Sequence, residues 1–377
     1  MRKLVTNSKQ QNGLSILKKT RIKDKNFYTP AMMLTYSFRD NNPKPWLDIP
    51  NCTIMTNAYD ILKNGRLEQD IRRHGIHEEL GLIKEICAMD SGGFQFISRS
   101  EEEKINPTAV IELQNASNVD IAVALDYPIL PDFSPQKATA LAKKSLNNIK
   151  LAYENIKNGI EVMPVLHGTT PKEIVKYFSK INDIAEFTIY GIGGLVPQMK
   201  QSNTSHKRYF NIIDRVFEAR KQLNTLNENK LLHVFGVGSP LAGLLFLLAG
   251  ADSIESISWI MNAKYFLVYQ DKFGARKASD KKTLCTTSVK WDEYDCSCPI
   301  CKRKDIEEIE QLMKRGGNEG FKNRAMHNAF VYQRILYHAK DAIRKNRLIE
   351  FCEERLGQHR FFRGILRYTL EKLQNYL

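Results

Sequence analysis

The stretch Ile86-Cys87-Ala88-Met89-Asp90-Ser91-Gly92-Gly93 joins a short apolar run directly to an acid and two glycines. A run of four to six apolar residues without polar alternation is typical of a strand that is buried on both faces. Glycines and acids that follow such a run are typical of the loop at the carboxyl end of the strand, where β/α barrels carry their chemistry. The stretch therefore predicts one strand of a parallel sheet, with Asp90 at its functional end.

Similar units recur between residues 28 and 274. The other apolar runs are Ala31–Tyr36, Cys52–Met55, Ile121–Leu125, Val162–Leu166, Phe187–Tyr190, Leu232–Phe235 and Ile254–Ser258. Helical patterns separate several of them, for example at Pro135–Ile156, Pro171–Ile181 and Tyr209–Leu223. Regular alternation of strands and helices indicates a parallel sheet. About eight such units favour an α/β fold of the closed (β/α)8 TIM-barrel type over an open sheet.

The composition of the 377 residues is that of a globular protein, with 42% hydrophobic and 26% charged residues. The longest apolar stretch, Pro240–Ala249, falls short of the roughly 18 residues that a membrane-spanning helix needs. The basic N-terminus has no apolar signal core, which argues against secretion. We therefore expect a cytoplasmic protein that does not bind a membrane.

The net charge of +14 is concentrated at the two ends of the chain. Residues 1–27 hold eight Lys or Arg and one acid, and residues 302–377 hold 17 Lys or Arg and ten acids. The segment between them is neutral overall. Basic ends on a neutral body indicate either a polyanionic partner that the ends help to bind or a simple contribution to solubility.

Three cysteines within six residues, Cys296, Cys298 and Cys301, predict a metal site, because thiolates this close repel one another unless a cation neutralises them. A structural zinc ion takes four Cys or His ligands. The candidates for the fourth ligand are Cys285, His327, His338 and Cys352. The predicted domains are thus a basic arm at 1–27, a barrel core at 28–274, and a zinc-binding and C-terminal helical subdomain at 275–377.

Several motifs resemble those of guanine transglycosylases, enzymes that exchange guanine in tRNA for a 7-deazaguanine base. They are Asp90–Gln95, Gly191–Leu195, Gly236–Pro240 and the Cys-x-Cys-x2-Cys-x25-His pattern that ends at His327. Their order and spacing match from about residue 28 to about residue 350. The resemblance implies a β/α barrel with a structural Zn2+ ion held by the three clustered cysteines and His327.

The resemblance also implies a two-step reaction through a covalent intermediate. A carboxylate attacks C1′ of the target nucleoside and releases guanine, and the incoming base then displaces the enzyme. Asp90 matches the general acid/base of the family. Glu255 falls at the position of the nucleophile, which is an aspartate in the family, and Asp252 is the alternative nucleophile.

The remaining matches describe a pocket for the exchanged base. Asp126 matches the acid that binds the Watson–Crick edge of the purine, since an ionised carboxylate accepts hydrogen bonds and guanine offers two donors there. His167 stands where the family has glutamine, which implies altered base selectivity, and Phe94 and Phe235 would stack on the two ring faces. The predicted substrate-binding residues are Ser91, Gly92, Phe94, Asp126, His167, Gly193, Gly194 and Phe235.

Two features favour DNA over tRNA as the nucleic acid. Ser256–Met261 replaces a basic Pro-Thr-Arg motif with which bacterial relatives read tRNA, and the chain ends at Leu377, where archaeal relatives continue into an RNA-binding domain. We therefore expect the DNA-modifying DpdA branch, which inserts 7-cyano-7-deazaguanine into DNA of a bacterial or phage-infected cell. The expected partners are DNA, the free base, an ATPase of the modification cluster and a second copy of the chain. The alternatives are a tRNA transglycosylase and a catalytically inactive binding subunit.

Overall fold

The computed structural model describes residues 12–93, 105–195, 206–279 and 287–376. The strands are β1 (Lys19–Ile22), β2 (Lys25–Tyr28), β3 (Ala31–Thr35), β4 (Thr53–Asn57), β5 (Ile86–Asp90), β6 (Ile121–Val123), β7 (Glu161–Met163), β8 (Val165–Leu166), β9 (Ile189–Ile192), β10 (Leu231–Val234), β11 (Ser253–Ser256), β12 (Leu267–Gln270) and β13 (Gly274–Lys277).

The helices surround and extend this set of strands. They are α1 (Ala58–Leu62), α2 (Gly65–His74), α3 (Ile76–Leu80), α4 (Pro107–Ser117), α5 (Pro135–Asn155), α6 (Pro171–Asn182), α7 (His206–Leu226), α8 (Pro240–Leu248), α9 (Ser258–Lys264), α10 (Ile306–Lys314), α11 (Gly317–Arg344), α12 (Leu348–Leu356) and α13 (Arg360–Tyr376). Short 3-10 turns lie at Pro45–Leu47 and Trp291–Glu293.

The central sheet is parallel and closes into a barrel. Its strands follow the order β7-β6-β5-β4-β3-β11-β10-β9-β8. β7 and β8 are two pieces of one strand, because only Pro164, which lacks an N–H, separates them. The carbonyl of Pro164 still accepts a hydrogen bond from the Gly191 amide at 2.8 Å. The sheet therefore has eight strand positions, and the predicted TIM-type barrel is confirmed.

Alternation along the strands decides which side chains enter the barrel. Met33, Met55 and Ala88 belong to the buried cluster that fills the interior. Since side chains two residues apart share a face, Thr35, Asn57 and Asp90 are the next inward positions toward the carboxyl ends. Glu255 is in register with Met33 and faces inward as well. Polar side chains thus form the upper layer of the barrel interior.

Residues 12–27 of the predicted basic arm close the amino-terminal end of the barrel. β1 and β2 form an antiparallel hairpin whose Ile22 and Phe27 are buried against the interior cluster. Lys18 is buried in an ion pair with Asp252, and Lys25 pairs with Asp120 at 3.0 Å. The polyanion-binding role that the sequence suggests for the basic ends therefore does not extend to Lys18 and Lys25, whose charges form ion pairs within the protein.

The C-terminal part combines the β12–β13 hairpin with helices α10 to α13. The hairpin spans residues 267–277 and so crosses the predicted domain boundary after residue 274. Val268, Ala278 and Met313 form a small core of their own with the clustered cysteines. None of the helices in the described part of the chain is long and apolar enough to cross a membrane.

Candidate active site and metal centre

The carboxyl ends of the barrel strands bring three carboxylates to one mouth. Asp90 is the last residue of β5, Glu255 is the next-to-last residue of β11, and Asp126 lies three residues beyond β6. His167 directly follows β8, and Phe235 directly follows β10. The structure thus brings together five of the residues that the sequence motifs single out.

Asp90 is held by two hydrogen bonds on one oxygen. Nδ2 of Asn57 donates to Oδ2 of Asp90 at 2.8 Å, and the Gly92 amide donates to the same oxygen at 3.2 Å. Burial, followed by the charges of Asp126 and Glu255, raises the pKa of Asp90 to about 8. A carboxyl group with a pKa near neutrality can both donate and accept a proton during turnover, as a general acid/base must.

Glu255 points into the same mouth with a hydrogen-bond donor on each oxygen. The Gly236 amide donates to Oε1 at 2.5 Å, and Oγ1 of Thr35 donates to Oε2. Burial raises the pKa of Glu255, while these two hydrogen bonds oppose the rise because they favour the ionised form. A carboxylate that is desolvated and oriented in this way is suited to nucleophilic attack.

Asp252 lies at the opposite end of the barrel. It precedes β11, and its buried carboxylate pairs with Lys18 at 3.0 Å and with Arg220. The Leu232 amide donates to the same carboxylate at 2.8 Å. Asp252 therefore bridges the amino-terminal hairpin to the barrel, and the structure does not bring it near Asp90.

Replacing Asp252 with Asn tests this difference in location. The change leaves two buried cations without a carboxylate, which should lower the free energy of unfolding by about 3–5 kcal/mol. Urea denaturation measures the loss, and the exposed Asp341, which pairs with Lys345 at 2.7 Å, provides the matched control Asp341→Asn. Activity per folded molecule should persist at low temperature. A stable Asp252→Asn variant without activity would instead make Asp252 the nucleophile.

Asp126 and His167 form a close pair beside Asp90. Nε2 of the buried His167 lies 2.8 Å from Oδ2 of Asp126. Tyr177 packs edge-on against the imidazole, with ring centroids 5.8 Å apart. A Cβ atom on Gly93 would lie 2.5 Å from Oδ1 of Asp126, so no side chain fits between this carboxylate and the Asp90 loop. The Asp126 carboxylate is therefore packed directly against the loop that follows Asp90.

The structure describes all of the other predicted substrate-binding residues except Phe94. A Cβ atom on Gly191 would lie 2.4 Å from the Phe235 ring, so the glycine makes room for that ring. Gly193 follows β9, and a Cβ atom there would lie 2.9 Å from Val165. Ser91 is buried and donates to the Ala124 carbonyl at 3.5 Å. Gly92 and Gly194 have positive φ angles, and Phe94 lies outside the described residues.

Two residues of the mouth were missed by the sequence motifs. They are Thr35, which holds Glu255 together with the Gly236 amide, and Asn57, which holds Asp90. Asn57 is fixed in turn because its Oδ1 accepts the Asp60 amide at 3.3 Å and caps α1. The only sequence feature that could have identified these residues is their position as polar residues at the carboxyl end of an apolar run.

The clustered cysteines and His327 form a second centre, in the C-terminal part. The ligand atoms of Cys296, Cys298, Cys301 and His327 all lie within 4.8 Å of one another. Nδ1 of His327 is 3.3, 3.7 and 3.7 Å from the three sulfurs. Tetrahedral zinc, with bonds of about 2.3 Å to sulfur and about 2.0 Å to nitrogen, places such ligands about 3.5 Å apart. The donor set and its geometry therefore fit a zinc ion.

The surroundings of this centre fix its ligands. Nε2 of His327 donates to the Tyr269 carbonyl at 2.7 Å, which leaves Nδ1 free to bind a metal ion. Of the other candidates for the fourth ligand, His338 lies 3.6 Å from Asp271, and Cys352 is buried in α12. Cys285 lies outside the described residues.

Comparison with known proteins identifies relatives of this chain. A family model described as "TGT: Queuine tRNA-ribosyltransferase" matches residues 17–361. A tRNA-guanine(15) transglycosylase of Methanococcus aeolicus is 28% identical over 93% of this chain and 52% of its own length. The Pyrococcus abyssi protein of the same name is 28% identical over 93% of this chain and 56% of its own length.

A third relative, the tRNA-guanine(15) transglycosylase of Methanocaldococcus jannaschii, is 29% identical over 81% of this chain and 44% of its own length. The chain thus spans about half the length of these relatives. Because the family model covers most of the described barrel and the cysteine cluster, this chain belongs to the queuine tRNA-ribosyltransferase (TGT) family.

Proposed function

We propose that this chain is a guanine transglycosylase, a pentosyltransferase that exchanges guanine in a nucleic acid for a 7-deazaguanine base. The observation that carries the proposal is the placement of Asp90 and Glu255 at one mouth with different environments. Asp90 has a pKa of about 8, while Glu255 carries a donor on each oxygen. One group is therefore suited to proton transfer and the other to nucleophilic attack.

In the first step, an oxygen of Glu255 attacks C1′ of the target nucleoside. The new C1′–O bond forms as the C1′–N9 bond breaks, and the electron pair of that bond leaves with guanine. Protonated Asp90 gives its proton to the departing base. The product is a glycosyl ester of Glu255, as in glycosidases that use a carboxylate nucleophile.

In the second step, the incoming base binds where guanine left. Ionised Asp90 takes the N9 proton of the incoming base, N9 attacks C1′, and the bond to Glu255 breaks with release of the carboxylate. Asp90 is then protonated again, so each cycle restores the starting state. A pKa of about 8 supports both directions of proton transfer near neutral pH.

The residues proposed to recognise the base are Asp126, His167 and Phe235, at the same mouth of the barrel. The carboxylate of Asp126 accepts the N1–H and amino donors of a guanine-type edge, and Nε2 of His167 lies 2.8 Å from this carboxylate. Phe235 offers a ring face for stacking. The target nucleotide must leave its stack so that its base can reach these residues in the barrel mouth, as in other enzymes that act on a base within a nucleic acid.

For the nucleic acid we propose tRNA, because the relatives that match this chain are named for tRNA-guanine(15) transglycosylation. The DNA-modifying reading drawn from the sequence has no counterpart among them. DNA is kept as the second candidate, because Ser256–Met261 provides no basic side chain at the position of the Pro-Thr-Arg motif. An ATPase partner and a homodimer stay predictions.

Exchange of radiolabelled guanine into bulk tRNA and into duplex DNA, in parallel reactions, tests the proposal. Label should enter tRNA and not DNA. Label in DNA alone would reverse the choice of nucleic acid and leave the chemistry intact. Label in neither would contradict the transglycosylase proposal. Wild-type protein without nucleic acid provides the background.

The proposed role of the metal is structural. Cys296, Cys298, Cys301 and His327 would hold a zinc ion with four protein ligands, which leaves no open position for a substrate. Bound there, zinc crosslinks the loop at 296–301 to α11. It supplies no group to the barrel mouth.

A further inference from the structure

Thr35 has no role in the family motifs, yet it is in direct contact with Glu255. Oγ1 of Thr35 donates to Oε2, while the Gly236 amide donates to Oε1 at 2.5 Å. We propose that Thr35 is a positioning residue that holds the Glu255 carboxylate in its attacking orientation. This inference rests on the proposed function, in which Glu255 is the nucleophile.

Thr35 is itself fixed from several sides. It is the last residue of β3, and its carbonyl accepts Nε1 of the fully buried Trp259 at 3.1 Å. The next amide, that of Tyr36, donates to the Met55 carbonyl of the neighbouring strand at 2.8 Å. A β-branched side chain also has few χ1 rotamers. The hydroxyl therefore has a defined position relative to the mouth.

A glutamate nucleophile needs such a contact more than an aspartate does. Glutamate has one more rotatable bond between the backbone and the carboxylate, so more side-chain freedom is lost when it attacks. The Gly236 amide fixes one oxygen and leaves rotation about the last torsion free. A second donor, on Oε2, removes that rotation. Thr35 thus provides the constraint that the longer side chain requires.

The same hydrogen bond affects the charge of the nucleophile. Burial raises the pKa of Glu255, and the hydrogen bond from Thr35 opposes this because it favours the ionised form. The other titratable groups that interact with Glu255 are Asp90, across the mouth, and the phenol of Tyr332 on α11. Loss of the hydroxyl should therefore move the ionisation of Glu255 to higher pH.

The kinetic test compares Thr35→Val, which removes the donor at nearly constant shape, with Thr35→Ser, which keeps it. For Thr35→Val we expect kcat for guanine exchange to fall by about 10–100-fold with KM for the nucleic acid unchanged. The acidic limb of the pH profile of kcat/KM should move to higher pH, and Thr35→Ser should restore both. Thr225→Val, on the exposed end of α7, is the matched control. Wild-type kinetics in Thr35→Val, or equal losses in both Thr35 variants, would overturn the proposal.

A second measurement does not depend on activity. Protein labelled with 13C at the glutamate carboxyl carbon is titrated by NMR, and the Glu255 signal is identified by its loss in Glu255→Gln. The pKa of Glu255 should be higher in Thr35→Val than in wild type and in Thr35→Ser. An unchanged titration would overturn the role of Thr35 alone. Wild-type protein that exchanges no guanine would instead contradict the proposed function.

Discussion

Asp90→Asn should lower kcat for guanine exchange by about 10²–10⁴-fold while the fold stays intact. The amide keeps the shape of the carboxyl group and its neighbours Asn57 and Gly92. It has no acidic proton for the departing guanine and cannot take one from the incoming base. Radiolabelled guanine exchange measures the loss, and Asp183→Asn, at the exposed end of α6, is the control.

The same variant should be more stable than wild type at alkaline pH. In the folded protein the pKa of Asp90 is about 8, well above the value of about 3.9 in an unfolded chain. The unfolded state therefore releases its proton first, and the contribution of Asp90 to stability falls as pH rises from about 4 to about 8. Asn does not titrate, so it avoids this loss.

Thermal unfolding of both proteins at pH 5 and pH 8.5 provides the measurement. The Tm of Asp90→Asn relative to the Tm of wild type should be higher at pH 8.5 than at pH 5. Each kcal/mol of stability that wild type loses with rising pH should change this Tm difference by about 2 °C. Asp183→Asn should show no such pH-dependent difference. Full exchange activity in Asp90→Asn, or a stability difference that is the same at both pH values, would contradict the role assigned to Asp90.

Cys298→Ala should lose both the metal ion and the fold of the C-terminal part. The Cys298 side chain is buried between the other ligands and the small core that contains Val268 and Met313. Binding of structural zinc supplies folding free energy of about 10–16 kcal/mol in small zinc domains, and three ligands hold the ion far less well. Zinc content should fall from about one ion per chain to nearly none.

Exchange activity should disappear with the metal, although no ligand reaches the barrel mouth. α11 carries His327 and packs against α9, which begins three residues after Glu255. Metal analysis and limited proteolysis measure the two effects. Cys352→Ala, a buried thiol outside the cluster, is the control and should keep its zinc. A soluble, protease-resistant Cys298→Ala protein without metal would contradict the structural role.

The barrel follows from local patterns in the sequence, because strands buried on both faces need continuous apolar runs. The separation of Val162–Leu166 into β7 and β8 was not predicted, since it depends on how Pro164 hydrogen-bonds to Gly191. The sequence predicts a basic arm where the structure has the hairpin β1–β2, because the burial of this hairpin also depends on contacts between distant parts of the chain. Ile22 and Phe27 are two apolar residues among many charges, and only the open end of the barrel explains their burial.

In the candidate site, too, the sequence predicts the position of some residues, whereas the position of others depends on the three-dimensional structure. Asp90 and Asp126 follow strand-like runs, so the sequence alone places them at the carboxyl ends. Asp252 and Glu255 are only three residues apart, and sequence spacing left both as nucleophiles. In the structure they lie at opposite ends of β11, which puts Asp252 with Lys18 and Arg220 and puts Glu255 with Thr35. The role of a neutral side chain such as Thr35 depends on strand register, which no local pattern reveals.

The proposed mechanism is tested most directly by locating the covalent bond between enzyme and nucleic acid. Wild-type protein is incubated with tRNA or DNA, denatured during turnover and digested, and the peptide that carries the sugar is sequenced by mass spectrometry. The proposed mechanism predicts a nucleoside ester on Glu255 in wild type and no adduct in Glu255→Gln. An adduct on Asp252, or an adduct that persists in Glu255→Gln, would contradict it.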